Sequence, residues 1–178
     1  FWPGPLTLIL PRAGHVDDAV TGGQASVGVR MPSHPVARAL LAAFAARGGH
    51  GVAAPSANRF GRISPTTAQH VADDLGDRVP LIVDGGACDV GIESTIVAFV
   101  AGDAVLLRPG GVGRDALARV LGRPVRDHAD DAPRASGTLA SHYAPRTPAR
   151  LVPAAALVAA GARDDRRVAV LARTVPAP

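Results

Sequence analysis

The stretch Val52-Ala53-Ala54-Pro55-Ser56-Ala57-Asn58 most constrains what this chain can become, because a small apolar run halts at a proline and turns at once into Ser and Asn. A polar loop containing Gly61 follows, and helical spacing begins beyond it. A short apolar run, a Gly-bearing loop and a helix form the recurring junction of an α/β fold, and such folds bind ligands at the carboxyl ends of their strands. Ser56 and Asn58 present a hydroxyl and an amide, each able to donate and accept hydrogen bonds. They suit a polar small molecule, and neither has the look of a nucleophile beside its base.

The rest of the chain carries the same punctuation. Short apolar, partly β-branched runs at residues 6–10, 26–30, 51–54, 81–84, 96–100 and 105–108 read as strands. Apolar residues at helical spacing predict helices from Pro35 to Phe44, from a Ser64-Pro65 start to Leu75, and from Arg114 to Leu121. Residues 14–24 read as a loop holding at most one helical turn. A tight turn at Gly102-Asp103 predicts that the last two strands form an antiparallel hairpin. These elements define a first domain over residues 1–121. Residues 122–148 lack apolar periodicity and read as an extended linker. Residues 149–178 resemble the β-α-β start of a further small α/β domain, and the opening on Phe1 reads as a chain missing its true start.

Composition narrows the function classes. The chain is 47% hydrophobic but only 3% aromatic, so Val, Leu, Ile and Ala must fill the core. Residues 1–121 hold ten Arg against ten acidic residues, and residues 122–178 hold nine against five, which is the whole net charge of +4. That is not the clustered basic footprint of a nucleic-acid binder. The single Cys88 excludes an internal disulfide and fits a reducing cytoplasm. No apolar run approaches the roughly 20 residues of a membrane span. The six histidines show no metal-ligand spacing, Ser56 lacks the Gly-x-Ser-x-Gly elbow, and Gly110-Gly111-Val112-Gly113 lacks the Lys-Ser/Thr of a P-loop.

Several predicted strand ends finish in hydroxyl, amide or arginine residues: Ser26 and Arg30, Ser56 and Asn58, Ser94 and Thr95, and Arg108. Gathered on one sheet edge, they would make a pocket of neutral donors with two guanidiniums, suited to a phosphate or carboxylate. Each also has a plainer reading. Ser64 is a good helix cap, Arg30 and Arg108 could be solvated strand ends, Ser56 could turn with Asn58, and Glu93 could cap a backbone amide.

Five motifs occur in order: Phe1-Trp2-Pro3-Gly4-Pro5-Leu6-Thr7, Val27-Gly28-Val29-Arg30-Met31-Pro32, Ala54-Pro55-Ser56-Ala57-Asn58, Glu93-Ser94-Thr95-Ile96-Val97 and Leu107-Arg108-Pro109-Gly110. Together they closely resemble the YrdC/Sua5 family, the L-threonylcarbamoyladenylate synthases. Ser141-His142-Tyr143-Ala144-Pro145 resembles the linker of the longer, Sua5-type members, which carry a smaller C-terminal domain. The resemblance implies a twisted, mainly parallel open α/β sheet around a large cavity. It also implies a reaction in which L-threonine, bicarbonate and ATP, with Mg2+ on its phosphates, give L-threonylcarbamoyl-AMP and pyrophosphate. The product feeds the tRNA threonylcarbamoyl-transferase machinery that modifies N6 of adenosine 37, and leaves direct tRNA binding open.

By the same resemblance, Ser26, Ser56, Ser64 and Arg108 contact ATP or the adenylate, Asn58 supports that wall, and Tyr143 closes over the nucleotide. Arg30, the Ala54 backbone and Ser94 hold threonine, with Arg30 on its carboxylate. No residue is a covalent catalyst; the chemistry runs by positioning and charge stabilisation. The family's N-terminal basic phosphate contacts have no counterpart here, so this chain alone is expected to be inactive. Two alternatives stand beside this one: a carbamoyl-transfer maturation module, against which the missing zinc-site cysteines weigh, and a non-catalytic RNA-binding module, against which the neutral residues 1–121 weigh.

Overall fold

A computed structural model describes residues 1–128, 132–135, 145, 147–153 and 156. The chain divides into two units, Phe1–Ala144 and Pro145–Pro178. Within the first unit, five strands form one sheet in the order β2-β1-β3-β4-β5. They are β1 (Leu6–Pro11), β2 (Ser26–Val29), β3 (Thr95–Val100), β4 (Asp103–Arg108) and β5 (Arg126–Asp127). The helices are α1 (Asp18–Thr21), α2 (Pro35–Ala45), α3 (Ala68–Leu75) and α4 (Arg114–Leu121). The α/β class and the open sheet agree with the sequence reading. Its ladders are mixed: β1–β3 and β4–β5 run parallel, β1–β2 and β3–β4 antiparallel.

Strand periodicity sorts the core onto the two sheet faces, since successive side chains point opposite ways. Val97, Ala104 and Leu106 join Leu6, Val112, Leu117 of α4 and Val125 in one buried cluster. Their neighbours in sequence, Ile96, Ala98, Val105 and Leu107, form the second cluster, against which Ala132 and Ala135 pack. The predicted β3–β4 hairpin is present, but its turn sits one residue earlier than expected. Ala101 and Gly102 hold φ of 49° and 87°, the left-handed pair that a two-residue hairpin turn requires.

Four other expectations are corrected. Residues 51–54 and 81–84 join no ladder, and Val52, Leu81 and Val83 are exposed; apolar β-branched sequence makes a strand only where a neighbour completes its hydrogen bonds. Helix α3 begins at Ala68, not at Ser64, because the Thr67 hydroxyl accepts the His70 N–H at 3.2 Å and is the cap. Part of the expected 122–148 linker belongs to the sheet unit: β5 pairs with β4, and Val125 is buried. Residues 149–152, expected as a strand, take no regular structure, and the remainder of the expected C-terminal elements lies outside the described residues. Helix α2 forms as expected, yet none of its residues is buried, and Val36, Leu40 and Phe44 are exposed. Among the described residues no helix is long and apolar enough to cross a membrane.

One buried polar residue fixes the sheet to the segment that follows β4. Thr95 is fully buried at the start of β3; its hydroxyl donates to the Val112 carbonyl at 2.8 Å and accepts the Val112 N–H at 2.9 Å. Thr95→Val keeps the shape but leaves both Val112 groups without this partner. Each buried unsatisfied group costs about 1–3 kcal/mol, so the urea midpoint of the Thr95→Val variant should fall with its m-value unchanged, and an unmoved midpoint would show that Val112 finds other partners.

Candidate functional site

Strand direction brings the candidate residues together. Because β2 runs antiparallel to β1, and β4 antiparallel to β3, the ends of β2 and β4 meet the starts of β1 and β3 on one sheet edge. Arg30 follows β2, Ser94 precedes β3 and Arg108 closes β4, so all three lie there. Ile96 pairs with Arg108 while Val97 pairs with Leu106, which leaves Leu107 as an extra residue, a bulge immediately before Arg108. Bulges of this kind re-aim the neighbouring side chain.

Hydrogen bonds then fix the group. Arg108 donates from Nε and Nη2 to the Ser94 carbonyl at 3.1 and 2.9 Å, and from Nη2 to Ser94 Oγ at 3.2 Å. Ser94 Oγ also lies 2.7 Å from Thr7 Oγ1. Arg30 donates from Nε to the Gly4 carbonyl at 3.0 Å. Partial burial, and then the Arg108 guanidinium, draw the Arg30 pKa below its ordinary value. Two like charges held this close favour any anion that binds between them.

A second strand of contacts runs from the same edge into the 58–64 loop. Ser64 donates to Glu93 Oε1, one residue before Ser94. The Asn58 amide nitrogen donates to the carbonyls of Arg59 at 2.8 Å and Arg62 at 3.1 Å, while its buried Oδ1 has no partner among the described residues. Asp74 of α3 accepts the Arg59 N–H at 2.6 Å and pairs with the Arg62 guanidinium. The Arg59 N–H, more than Arg62, holds the Asp74 carboxyl below the usual carboxylate range against the opposing effect of burial. The folded chain therefore favours its charged form: the clamp is complete above about pH 4, the ordinary aspartate range, and is lost as pH falls through the lowered value.

The expected constellation is only partly assembled. Arg30, Ser94 and Arg108 come together, and Ser64 is linked to them through Glu93. Ser26 begins β2 opposite Pro11, at the far end of the strand from Arg30, roughly 13 Å away at about 3.3 Å per residue. Ser56 and Ala54 are exposed, and Ser56 has no side-chain partner among the described residues. Tyr143 lies outside the described residues. Thr7 and Asp74 were not singled out from sequence: Thr7 sits inside an apolar strand, and Asp74 in an ordinary amphipathic helix. Among the described residues no group of three His, Cys, Asp or Glu could hold a metal ion. A cavity of about 480 Å3 beside the end of β4 is lined by residues such as Leu106, Val112 and His128 and by the paired Arg114 and Asp127, but by none of the candidate residues.

The model of the Sua5/YciO/YrdC family, described as "Telomere recombination", matches residues 1–110. The chain belongs to this family. A second model, described as "Threonylcarbamoyl-AMP synthase, C-terminal domain", matches residues 112–177, a span that includes α4 and β5 of the sheet unit. A Pyrococcus abyssi protein named threonylcarbamoyl-AMP synthase is 40% identical over 173 residues, covering 94% of this chain and 47% of its own length. A Bacillus subtilis protein of the same name is 44% identical over 156 residues, covering 83% and 43%. The chain thus spans just under half the length of these relatives. The crystal structure of P. abyssi Sua5 complexed with L-threonine matches with a TM-score of 0.74 at 42% identity, over 82% of this chain and 43% of that one. A variant of that protein with an adjacent His–Tyr pair replaced by alanine matches with a TM-score of 0.67 at 43% identity, over 72% and 38%.

The family edge depends on a close approach that only glycine permits. A Cβ on Gly110 would stand 2.4 Å from the Glu93 carbonyl oxygen, 2.5 Å from the Thr95 nitrogen and 2.6 Å from the Ser94 carbonyl carbon, all of them backbone atoms. Gly110→Ala should therefore cost about 1–3 kcal/mol, in the range of overpacked cores. Thermal unfolding of the variant checks this; an unchanged melting temperature would mean that the two segments separate freely.

Proposed function

We propose that this chain carries part of a threonylcarbamoyl-AMP synthase, which forms L-threonylcarbamoyl-AMP and pyrophosphate from L-threonine, bicarbonate and ATP. The observation that carries the reading is the Arg30–Ser94–Arg108 cluster, two guanidiniums around a buried serine on one sheet edge. Both substrates that must be held are anionic at the atoms that matter: a carboxylate on threonine and phosphates on the nucleotide. The names of the relatives and the threonine complex of the P. abyssi protein support the same assignment.

In this reading the sheet unit, β5 included, carries the synthase part, and the C-terminal domain begins within the 112–177 span that its own family model matches. Arg30 takes the threonine carboxylate through its remaining N–H groups, with Ser94 and the Ala54 backbone beside it. Arg108, already spending two donors on Ser94, faces the nucleotide with Ser56, Asn58 and Ser64. Ser26 and Tyr143 complete the adenylate site, and the His142-Tyr143 pair gives this chain a counterpart to the His–Tyr pair replaced in the P. abyssi variant.

The reaction needs no protein nucleophile. The threonine amine attacks the bicarbonate carbon, water leaves, and a carbamate forms. A carbamate oxygen then attacks the α-phosphorus, and the bond to the pyrophosphate oxygen breaks. What the residues must do is align the carbamate with the α-phosphate and stabilise spreading negative charge. Arginines suit that role because they stay charged and bond oxyanions in a planar fork. Mg2+ enters with ATP, held mainly by phosphate oxygens and water, which suits an edge where Glu93 already holds Ser64. The product is an activated acyl group for a tRNA-modifying transferase, placing the protein in the cytoplasm.

The decisive measurement is pyrophosphate release by the complete gene product, which should require L-threonine, bicarbonate and ATP together. Arg30→Ala should raise the KM for L-threonine at least about tenfold, the scale of losing a charged hydrogen-bond partner, and change the KM for ATP far less. Salt-sensitive tRNA binding with no three-substrate turnover would overturn the reading in favour of an RNA-binding module.

A further inference from the structure

We propose that Asp74 is a positioning residue for the nucleotide-facing loop 58–64, an inference that rests on the synthase reading above. Asp74 sits in the last turn of α3, away from the sheet edge in sequence, and touches no group assigned to substrate. Its carboxylate nevertheless holds Arg59 and Arg62, on either side of the Gly61 bend. Oδ2 accepts the Arg59 N–H at 2.6 Å, Oδ1 pairs with Arg62, and the Asp74 carbonyl accepts Arg59 Nε at 2.9 Å. The Asp74 side chain is 15% exposed, and its contacts with Arg59 lie at the surface while that with Arg62 is partly buried.

The loop is not held by its own bonds alone. Asn58 closes it from inside by donating to the Arg59 and Arg62 carbonyls, and Gly61 takes φ of 80° to make the bend. That closure leaves Asn58 Oδ1 buried, with no partner among the described residues. Asp74 adds an external clamp to this turn from α3. Beyond the loop the chain reaches Ser64, whose hydroxyl donates to Glu93 beside Ser94. The nucleotide wall is thereby pinned at one end to α3 through Asp74 and at the other to the threonine edge through Glu93. Releasing the Asp74 end should disturb ATP binding and leave the Arg30 side in place.

Steady-state kinetics of the Asp74→Asn variant of the complete gene product tests this. The KM for ATP should rise at least about tenfold while that for L-threonine stays within about twofold. Arg62→Ala should have a smaller effect of the same kind and add little in the Asp74→Asn background, the non-additivity of a shared contact. Asp74→Glu, which keeps the charge, should recover part of the ATP affinity. Hydrogen exchange supplies a readout independent of turnover: the amides of residues 59–62 should exchange at least about tenfold faster in Asp74→Asn. Equal losses for both substrates, or no change for either, would overturn the positioning role, and unchanged exchange would overturn the clamp itself. Absence of turnover in the wild type would instead refute the synthase reading, with exchange still deciding the clamp.

Discussion

The Thr95 hydroxyl, buried and bonded in both directions to Val112, is the constraint on which the rest of the site depends. A polar group without water must be satisfied within the protein, and here the partner is the backbone just past β4. That bond draws residues 110–112 across the start of β3, where Gly110 runs so close to residues 93–95 that no side chain would fit. Ser94 is thus fixed from behind, and the Arg108 fork on its carbonyl is a consequence. The geometry of the Arg30–Ser94–Arg108 edge thus follows from a core contact.

Electrostatics complete what packing begins. Arg30 and Arg108 reach the same edge from the carboxyl ends of β2 and β4, and partial burial together with the Arg108 guanidinium lowers the Arg30 pKa. Both are tethered to the scaffold: Nε of each holds backbone, on Gly4 and on Ser94 respectively. Such tethering limits the rotamer freedom lost when a carboxylate or phosphate arrives, so more of the attraction survives as binding. A lysine could not hold a backbone carbonyl and an oxyanion in one plane.

Much of this was legible in the sequence where local rules decide. Strands β1 and β2, the β3–β4 hairpin, α2 and α4 announce themselves through apolar periodicity ended by Pro and Gly, and the ordered motifs pointed to the family. Elsewhere the outcome depends on partners distant in sequence. Residues 51–54 and 81–84 have strand composition, but no neighbour among the described residues completes a ladder with them. Ser64-Pro65 has the chemistry of a helix start, yet Thr67 caps the helix and Ser64 turns to Glu93, 29 residues away. Ser26 and Arg30 look equivalent as residues of one strand, but an extended chain places them at its two ends. Asp74 carries no local signal at all, since only the fold brings Arg59 and Arg62 to it.

These contrasts separate two ways of holding a site. The edge around Arg30, Ser94 and Arg108 is built into the sheet, where β ladders, a buried threonine and a glycine crossing leave little freedom. The 58–64 loop, whose Asn58 amide oxygen has no partner among the described residues, is kept in shape by carboxylates at each end. A reaction that proceeds by alignment needs both parts to hold their geometry, but they need not be equally rigid. Under the proposed synthase reading the small amino acid is held by the scaffold, whereas ATP would enter and pyrophosphate leave past a wall that can yield. A clamp of ion pairs and hydrogen bonds on an outer helix meets that demand: it defines the loop's position when closed, at a cost of opening far below that of unravelling the sheet.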